Sequence, residues 1–358
     1  MLWVIYLGRR SAVKKSRALL YSLIGIVLVG ALGATVIAVN IDFIRDKYRE
    51  YTAVDFEGPG FGEVIVRIDE GDDGLIIAQK LFDAGVVSQV DGFYRLMLQT
   101  NPTFYPGSFL LKNQMSYAAA LEVIKDPANV KNYKITIPEG YRAIQIFNSI
   151  AVVTGYSLDE IKSEAADLVG LGIPAEAETI EGYLFPATYT FYLEDTPADI
   201  LRTMVERMKE ELVKFSVPES EWHTVLTLAS ITQREAKLPD DFYKVTRVFY
   251  NRISKSMPLQ TDPTIFYNFE GIELSKPQQD ANPFNTYVIN GLPPGPISSP
   301  GALAIDATVN PAAGDWLYFV TIDLRSGETI FTNTYSQHQQ YVKILRQWEK
   351  DNPDWYDN

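Results

Sequence analysis

Residues 228–237 read LASITQREAK. Val225, Leu228, Thr232 and Glu235 recur at steps of three and four, with Ala229 and Ala236 beside them. A helix with this spacing gives one face to a core and ends with a carboxylic acid on that same face. Its start is expected at Ser216, where Glu219 three residues later completes a capping box and Pro218 occupies the first turn. Its end is expected at Lys237, because Leu238 precedes Pro239 and is biased out of helical geometry. Apolar neighbours and the negative end of the helix dipole both disfavour ionisation of Glu235. A carboxyl kept protonated near neutral pH can serve as a general acid. Arg234 and Lys237 oppose the shift but face elsewhere on the helix. The same pattern also fits a structural Glu paired with a buried Arg or capping a loop backbone.

Two segments downstream of this helix favour chemistry. MPLQTDPTIFY (257–267) and NPFNTYVINGLPPGPISSPG (282–301) are dense in Pro, Gly, Asn and Tyr without periodicity, as in ordered loops that carry sites on a rigid scaffold. Gln260, Asp262, Tyr267, Asn285 and Tyr287 supply the amides, carboxylate and flat amphipathic rings that a polyhydroxylated ligand needs. A proline-stiffened surface loop with its own Asx turns would have the same composition. No second catalytic acid is evident. Asp240 and Asp241 sit where the next helix, Phe242 to Ile253, is expected to be N-capped, and Asp262 precedes Pro263 in a turn-like context. Glycosidases that use water need two carboxyl groups, so a single one points to a substrate that supplies its own nucleophile. A hydrolase would need Asp262 as base.

Upstream, EGPGFG (57–62) is a turn leading into the strand EVIVRIDEG, followed by two helices, the second started by Ser88 or Asp91. YKITIPEG (133–140) and AIQIFNSIAVV repeat the strand-helix order, as an echo of the first module or an unrelated unit. A third region opens near Glu178 with TIEGYLFPATYTF and closes with a hairpin, WLYFVTI, RSGE, TIFTN. The fold class is α+β. The expected division is a cytoplasmic tail (1–17), a transmembrane helix (18–39), a stalk (40–56), a small strand-helix-helix module (57–130), a second strand-helix module (131–177), a larger mixed catalytic domain (178–345) and a C-terminal tail (346–358).

The chain has 358 residues, 46% of them apolar, and a net charge of −13. That charge leaves no domain-wide basic surface for nucleic acid. With no cysteine and only His223 and His338, thiolate and histidine metal sites fall away, and no metal or other cofactor is expected. Ala18 to Val39 is uncharged and long enough to cross a hydrocarbon layer of about 30 Å. Arg9, Arg10, Lys14, Lys15 and Arg17 precede it and mixed charges come after it, so the N-terminus is expected in the cytoplasm and residues 40–358 outside. A cleaved signal peptide competes with this anchor, but its apolar region normally spans about 7–15 residues.

Taken together, IPEG (137–140), EGYLFPATY (181–189), LASITQREA (228–236), MPLQTDPTIFY, NPFNTYVINGLPPGPISSPG and a late F-x-x-T…H pattern (331–338) resemble the YceG-like family of membrane-anchored endolytic murein transglycosylases. With the anchor, the resemblance covers nearly the whole chain. It implies a LysM-like module next to the bacterial cytoplasmic membrane and a C-terminal domain that cuts peptidoglycan glycan strands internally, with cell-wall synthases as partners. The family's catalytic Glu falls on Glu235. Gln260, Asp262, Tyr267, Asn285 and Tyr287 fall in the motifs that would hold the sugar, and His338 is expected to be a hydrogen-bonding strut. Family members commonly show Glu-Lys-Glu where this chain has Gln233-Arg234-Glu235, so the first of the two acids is absent here. A non-catalytic envelope scaffold that only binds glycan would share these features.

Overall fold

The computed structural model describes residues 55–267 and 282–357. The expected membrane span lies outside them, and among the described residues no helix is long and apolar enough to cross a membrane. The chain is of mixed α+β type and divides after Val130 into two compact units.

In the first unit β1 (Phe61–Ile68) pairs antiparallel with β2 (Gly107–Asn113), Val66 facing Phe109. Between them run α1 (Gly74–Asp83) and α2 (Val90–Thr100), and α3 (Tyr117–Ile124) comes after β2. Asp73 caps α1 by accepting the N–H groups of Leu75 and Ile76, each at 2.9 Å. The N-cap of α2 is Gln89, without a side-chain cap bond; Asp91 lies in the first turn. Ser88 is not that cap because its Oγ is engaged with the Tyr117 hydroxyl at 2.7 Å. Val66, Ile68, Ile77, Leu81, Phe93, Phe109 and Leu111 close the core of this unit.

The second unit begins with β3 (Val130–Thr136), which pairs antiparallel with β4 (Thr188–Tyr192), Ile135 facing Tyr189. The helices α4 (Ala143–Thr154) and α5 (Leu158–Ala165) lie between them in sequence. A single hydrophobic cluster runs from Ile135 and Ile146 through Leu184 and Met204 to Leu226 and Ile305, so residues 131–177 share a core with those after 178.

Around this core lie α6 (Pro197–Lys214), α7 (Trp222–Glu235), α8 (Pro239–Ser254), the short α9 (Asp262–Phe266) and α10 (Ala302–Val309). The hairpin of β5 (Tyr318–Asp323) and β6 (Glu328–Thr332) packs against α11 (Tyr335–Asp351), which runs across the boundary expected at 345/346. Two helix starts in this unit differ from the sequence expectation. Ser216 ends α6 instead of starting α7: its φ is +59°, and Val217 N–H reaches back to Leu212 O at 3.0 Å, as in a Schellman stop. A 3₁₀ turn, Glu219–Glu221, then leads into α7, with Trp222 at its head. Pro239 is the first residue of α8 and Leu238 its N-cap, so Asp240 and Asp241 sit in the first turn, where they still oppose the positive end of the helix dipole.

The loop EGYLFPATY is fixed by one close approach. Gly182 has φ +81°, and a Cβ there would fall on the ring of Pro296. Gly182→Ala adds left-handed strain to overpacking, and is expected to lower stability by about 2–4 kcal/mol, read as a shifted denaturant midpoint at unchanged slope.

Candidate active site

The helix α7 is buried on nearly every side from Val225 to Thr232, against α8 and α10. Its polar residues are satisfied within the core: Thr227 Oγ1 donates to His223 O at 2.7 Å, and Thr232 and Thr246 share a hydroxyl bond of 3.0 Å. Ser230 Oγ accepts the N–H of Ile297 at 3.0 Å, which ties the GPISSPG segment to the helix. α7 stops at Glu235. Ala236 is already extended (φ −82°, ψ 142°), two residues before the expected end, because the chain must reach Leu238 and Pro239 outside helical geometry.

At this stop the Glu235 carboxyl is half-buried. It is pushed up to about 7, first by burial and then by the negative charge of Asp262, with Arg252 and Arg234 opposing. Asp262 opens α9 and is itself exposed; its Oδ1 accepts the Tyr287 hydroxyl at 2.6 Å. Burial and this bond raise the Tyr287 phenol, so it stays a donor. The two segments that meet here are sewn together: Gln260 N–H donates to Thr286 O at 3.0 Å, and Thr261 N–H to Thr286 Oγ1 at 3.0 Å.

Arg252 is the fixed cation of the site. From within α8 its Nε donates to Leu317 O at 2.7 Å and its Nη1 to Leu259 O at 2.7 Å, while the guanidinium lies 5.3 Å from the centre of the Tyr318 ring. One buried side chain thereby joins α8, the start of the 260s loop and the hairpin, and places a charge beside Glu235. It belongs to none of the motifs quoted above. Its signal is an arginine on the inner face of an amphipathic helix, a position that needs partners.

Arg234 and Asp262, the neighbours of opposite sign that act on Glu235, both line a cleft of about 560 Å³, together with Arg142, Gln145, Phe266 and Tyr267. Glu235 adjoins this cleft and is not part of its wall. Gln260 is exposed near the same loops, with φ +52°, a conformation uncommon outside glycine. The other expected sugar ligands lie deeper. Asn285 has no exposed surface, and its Oδ1 accepts the Tyr287 N–H at 3.0 Å, so it shapes the loop that carries Tyr287. Tyr267 is 5% exposed, tilted against Phe284 with the ring centres 4.6 Å apart, and hydrogen-bonded to Glu181. His338 stacks on Tyr318 at 5.4 Å and lies tilted against Tyr335 at 6.2 Å; its buried Nδ1 has no hydrogen-bond partner among the described residues, so the expected strut is a packed ring.

Glu181 is a second carboxyl pushed up to about 7, chiefly by burial, against the opposing effects of the Ala143 N–H, Arg142 and the Tyr267 hydroxyl. Its Oε1 accepts the Ala143 N–H at 2.9 Å, at the start of α4. Between pH 4.5 and 7 the unfolded chain has lost this proton while the folded one keeps it, so the stability from Glu181 is full at low pH and falls as pH rises. The cost above pH 7 is roughly 3 kcal/mol. Glu235 contributes with the same sign, so Glu181→Gln, which keeps the acceptor oxygen, is expected to reduce the drop in Tm between pH 5 and pH 8 by about half; an unchanged drop contradicts the burial effect.

The sequence profile of the YceG-like family matches residues 66–344. The chain belongs to this family. Endolytic murein transglycosylases are among its relatives: that of Bacillus subtilis is 33% identical over 304 residues, covering 77% of this chain and 83% of its own length. That of Streptococcus pneumoniae R6 is 29% identical over 319 residues, covering 78% of this chain and 58% of its own length. The crystal structure of a yceG-like protein from Listeria monocytogenes superposes with a TM-score of 0.51 at 28% identity, covering 78% of this chain and 98% of that one.

In this YceG-like chain the amide at 233 has a structural use. Gln233 Oε1 accepts the N–H of Gly301, the N-cap of α10, at 2.9 Å. The acceptor at this helix start is neutral, and the one acid at the end of α7 is Glu235.

Proposed function

We propose that this chain is an endolytic lytic transglycosylase that cuts peptidoglycan glycan strands between N-acetylmuramic acid and N-acetylglucosamine. The activity named for its relatives supports this. The observation that carries it is the half-buried Glu235 carboxyl, protonated up to about pH 7, at the rigid end of a core helix beside a sugar-sized cleft.

In this mechanism Glu235 gives its proton to the glycosidic oxygen as the bond from that oxygen to the muramoyl C1 breaks. Positive charge builds on C1 and the ring oxygen, and the Asp262 carboxylate, steadied by Tyr287, lowers its energy through space. The muramoyl C6 hydroxyl oxygen closes on C1 and its proton passes to the Glu235 carboxylate, which restores the acid. No water enters, and the product carries a 1,6-anhydro ring. We assign the sugar to Asp262, exposed on the cleft wall, with Tyr287 bonded to it and Gln260 exposed on the adjoining loop; Tyr267 lines the cleft and packs on Phe284, while Asn285 holds the Tyr287 loop.

Mass analysis of products from uncrosslinked glycan tests this. The expected ends are one water lighter than the hydrolysis product. Reducing ends with the full mass instead assign the chain to the hydrolases, with Asp262, exposed on the cleft, as base.

The setting is read from the sequence. Residues 18–39 anchor the chain in the cytoplasmic membrane with the N-terminus inside, and the catalytic unit meets nascent strands outside, near cell-wall synthases. The first unit runs strand, helix, helix, strand, helix, and its opening strand-helix-helix supports reading it as a LysM-like module suited to holding glycan.

A further inference from the structure

We propose that Arg142 and Arg234 form an anion subsite on the cleft wall that takes a carboxylate of the peptide stem carried by the glycan strand. This rests on the transglycosylase function above and adds a substrate feature to it.

The chain carries 45 acidic and 32 basic residues, yet its cleft has two arginines and one acid, Asp262, on its wall. Both guanidinium groups are held in place. Arg142 lies over the Tyr267 ring, 4.8 Å from its centre, and that ring is fixed by Phe284 and Glu181. Arg234 Nη1 donates to Gly140 O at 3.4 Å, and Arg234 makes no ion pair among the described residues. Gly140 lies two residues before Arg142, and the stem of Arg234 packs at van der Waals distance beside it, its Cδ 3.6 Å from where a Cβ would stand. The loop 139–142 thus brings the two cations to one stretch of wall. Gln145, whose Oε1 accepts the Arg142 N–H at 2.9 Å, lines the cleft beside them.

A neutral sugar chain gives guanidinium groups little to bind beyond hydroxyls, whereas paired guanidinium groups favour a planar anion. The repeating anions of a peptidoglycan strand are the carboxylates of its stem peptides, one stem on each muramoyl unit and so always next to a scissile bond. A lipid-linked pyrophosphate occurs once, at a strand end, and an internal cut leaves it remote from the cleft.

The test compares the full chain acting on uncrosslinked strands with intact stem carboxylates and on the same strands after conversion of those carboxylates to carboxamides. We expect kcat/KM about tenfold higher on the acidic strands, with the preference shrinking as salt rises. The double variant Arg142→Gln, Arg234→Gln should bring the ratio near one, and Arg142→Lys, Arg234→Lys should keep only part of it, since the charge remains and the planar fork is lost. The ratio is the readout because Arg234 also acts on Glu235. Equal wild-type rates on both strands, with anhydro ends formed, overturn the subsite and leave the transglycosylase intact; that arm needs no variant. A preference that survives in the Gln variant places the anion elsewhere and also overturns it. Absence of anhydro ends from both strands overturns the function and the subsite together.

Discussion

Replacing Glu235 by Gln is expected to slow glycan cleavage by about 10²- to 10⁴-fold, the usual weight of a general acid, while strand binding is kept. The amide keeps the shape and the hydrogen-bonding reach of the acid, and α7 holds it in the same place, since Thr232, Ser230 and Thr227 are satisfied without it. What is lost is the proton. The same residue serves first as acid and then as base, so both halves of the reaction stop together, and no intermediate accumulates. Binding depends on other groups: the cleft is lined by Arg142, Arg234, Asp262 and Tyr267, none of which is bonded to Glu235. Cosedimentation with purified strands should therefore match the wild type while product release falls to background. Undiminished cleavage by the variant would remove Glu235 from the chemistry. Wild-type protein that binds strands but never cuts them would make the chain a scaffold.

The helix bearing Glu235, the β5–β6 hairpin and the two strand-helix starts are legible in the sequence because each depends on local periodicity and turn chemistry. Elements depart from the expected pattern where a competing bond, near or far in the chain, outranks the local signal. Ser216 and Glu219 have the spacing of a capping box, but the bond from Val217 to Leu212 uses Ser216 to close the preceding helix, and both of these apolar residues are buried. Ser88 likewise shares a hydroxyl bond with Tyr117. In the polar loops, composition marks ordered structure yet does not separate inside from outside: Asn285 is buried to hold Tyr287, and Gln260 in the facing segment is exposed. Arg252 and Arg142 are illegible for another reason. Their roles depend on which elements pack together, α8 against β5 for one and the start of α4 against Tyr267 for the other.

Turnover is expected to be level in mildly acidic solution and to fall about tenfold per pH unit above pH 7, so that the rate at pH 9 is roughly a hundredth of its plateau. The sign comes from the step itself: only protonated Glu235 can supply the glycosidic oxygen, and its proton is lost as pH passes about 7. Burial is the largest cause, so the limb should stand well above the ordinary carboxylate range even when single charges nearby are removed. The charges then set its fine position. Asp262→Asn takes away a negative neighbour and should move the falling limb to lower pH, whereas Arg234→Gln takes away a positive one and should move it higher. The opposed shifts separate an electrostatic effect on Glu235 from a general loss of activity, since a damaged site lowers the plateau without displacing the limb. A profile flat to pH 9 would show that the proton comes from a group other than Glu235. Displacement of both variants in the same direction would show that Asp262 and Arg234 influence the rate through the substrate and not through the acid.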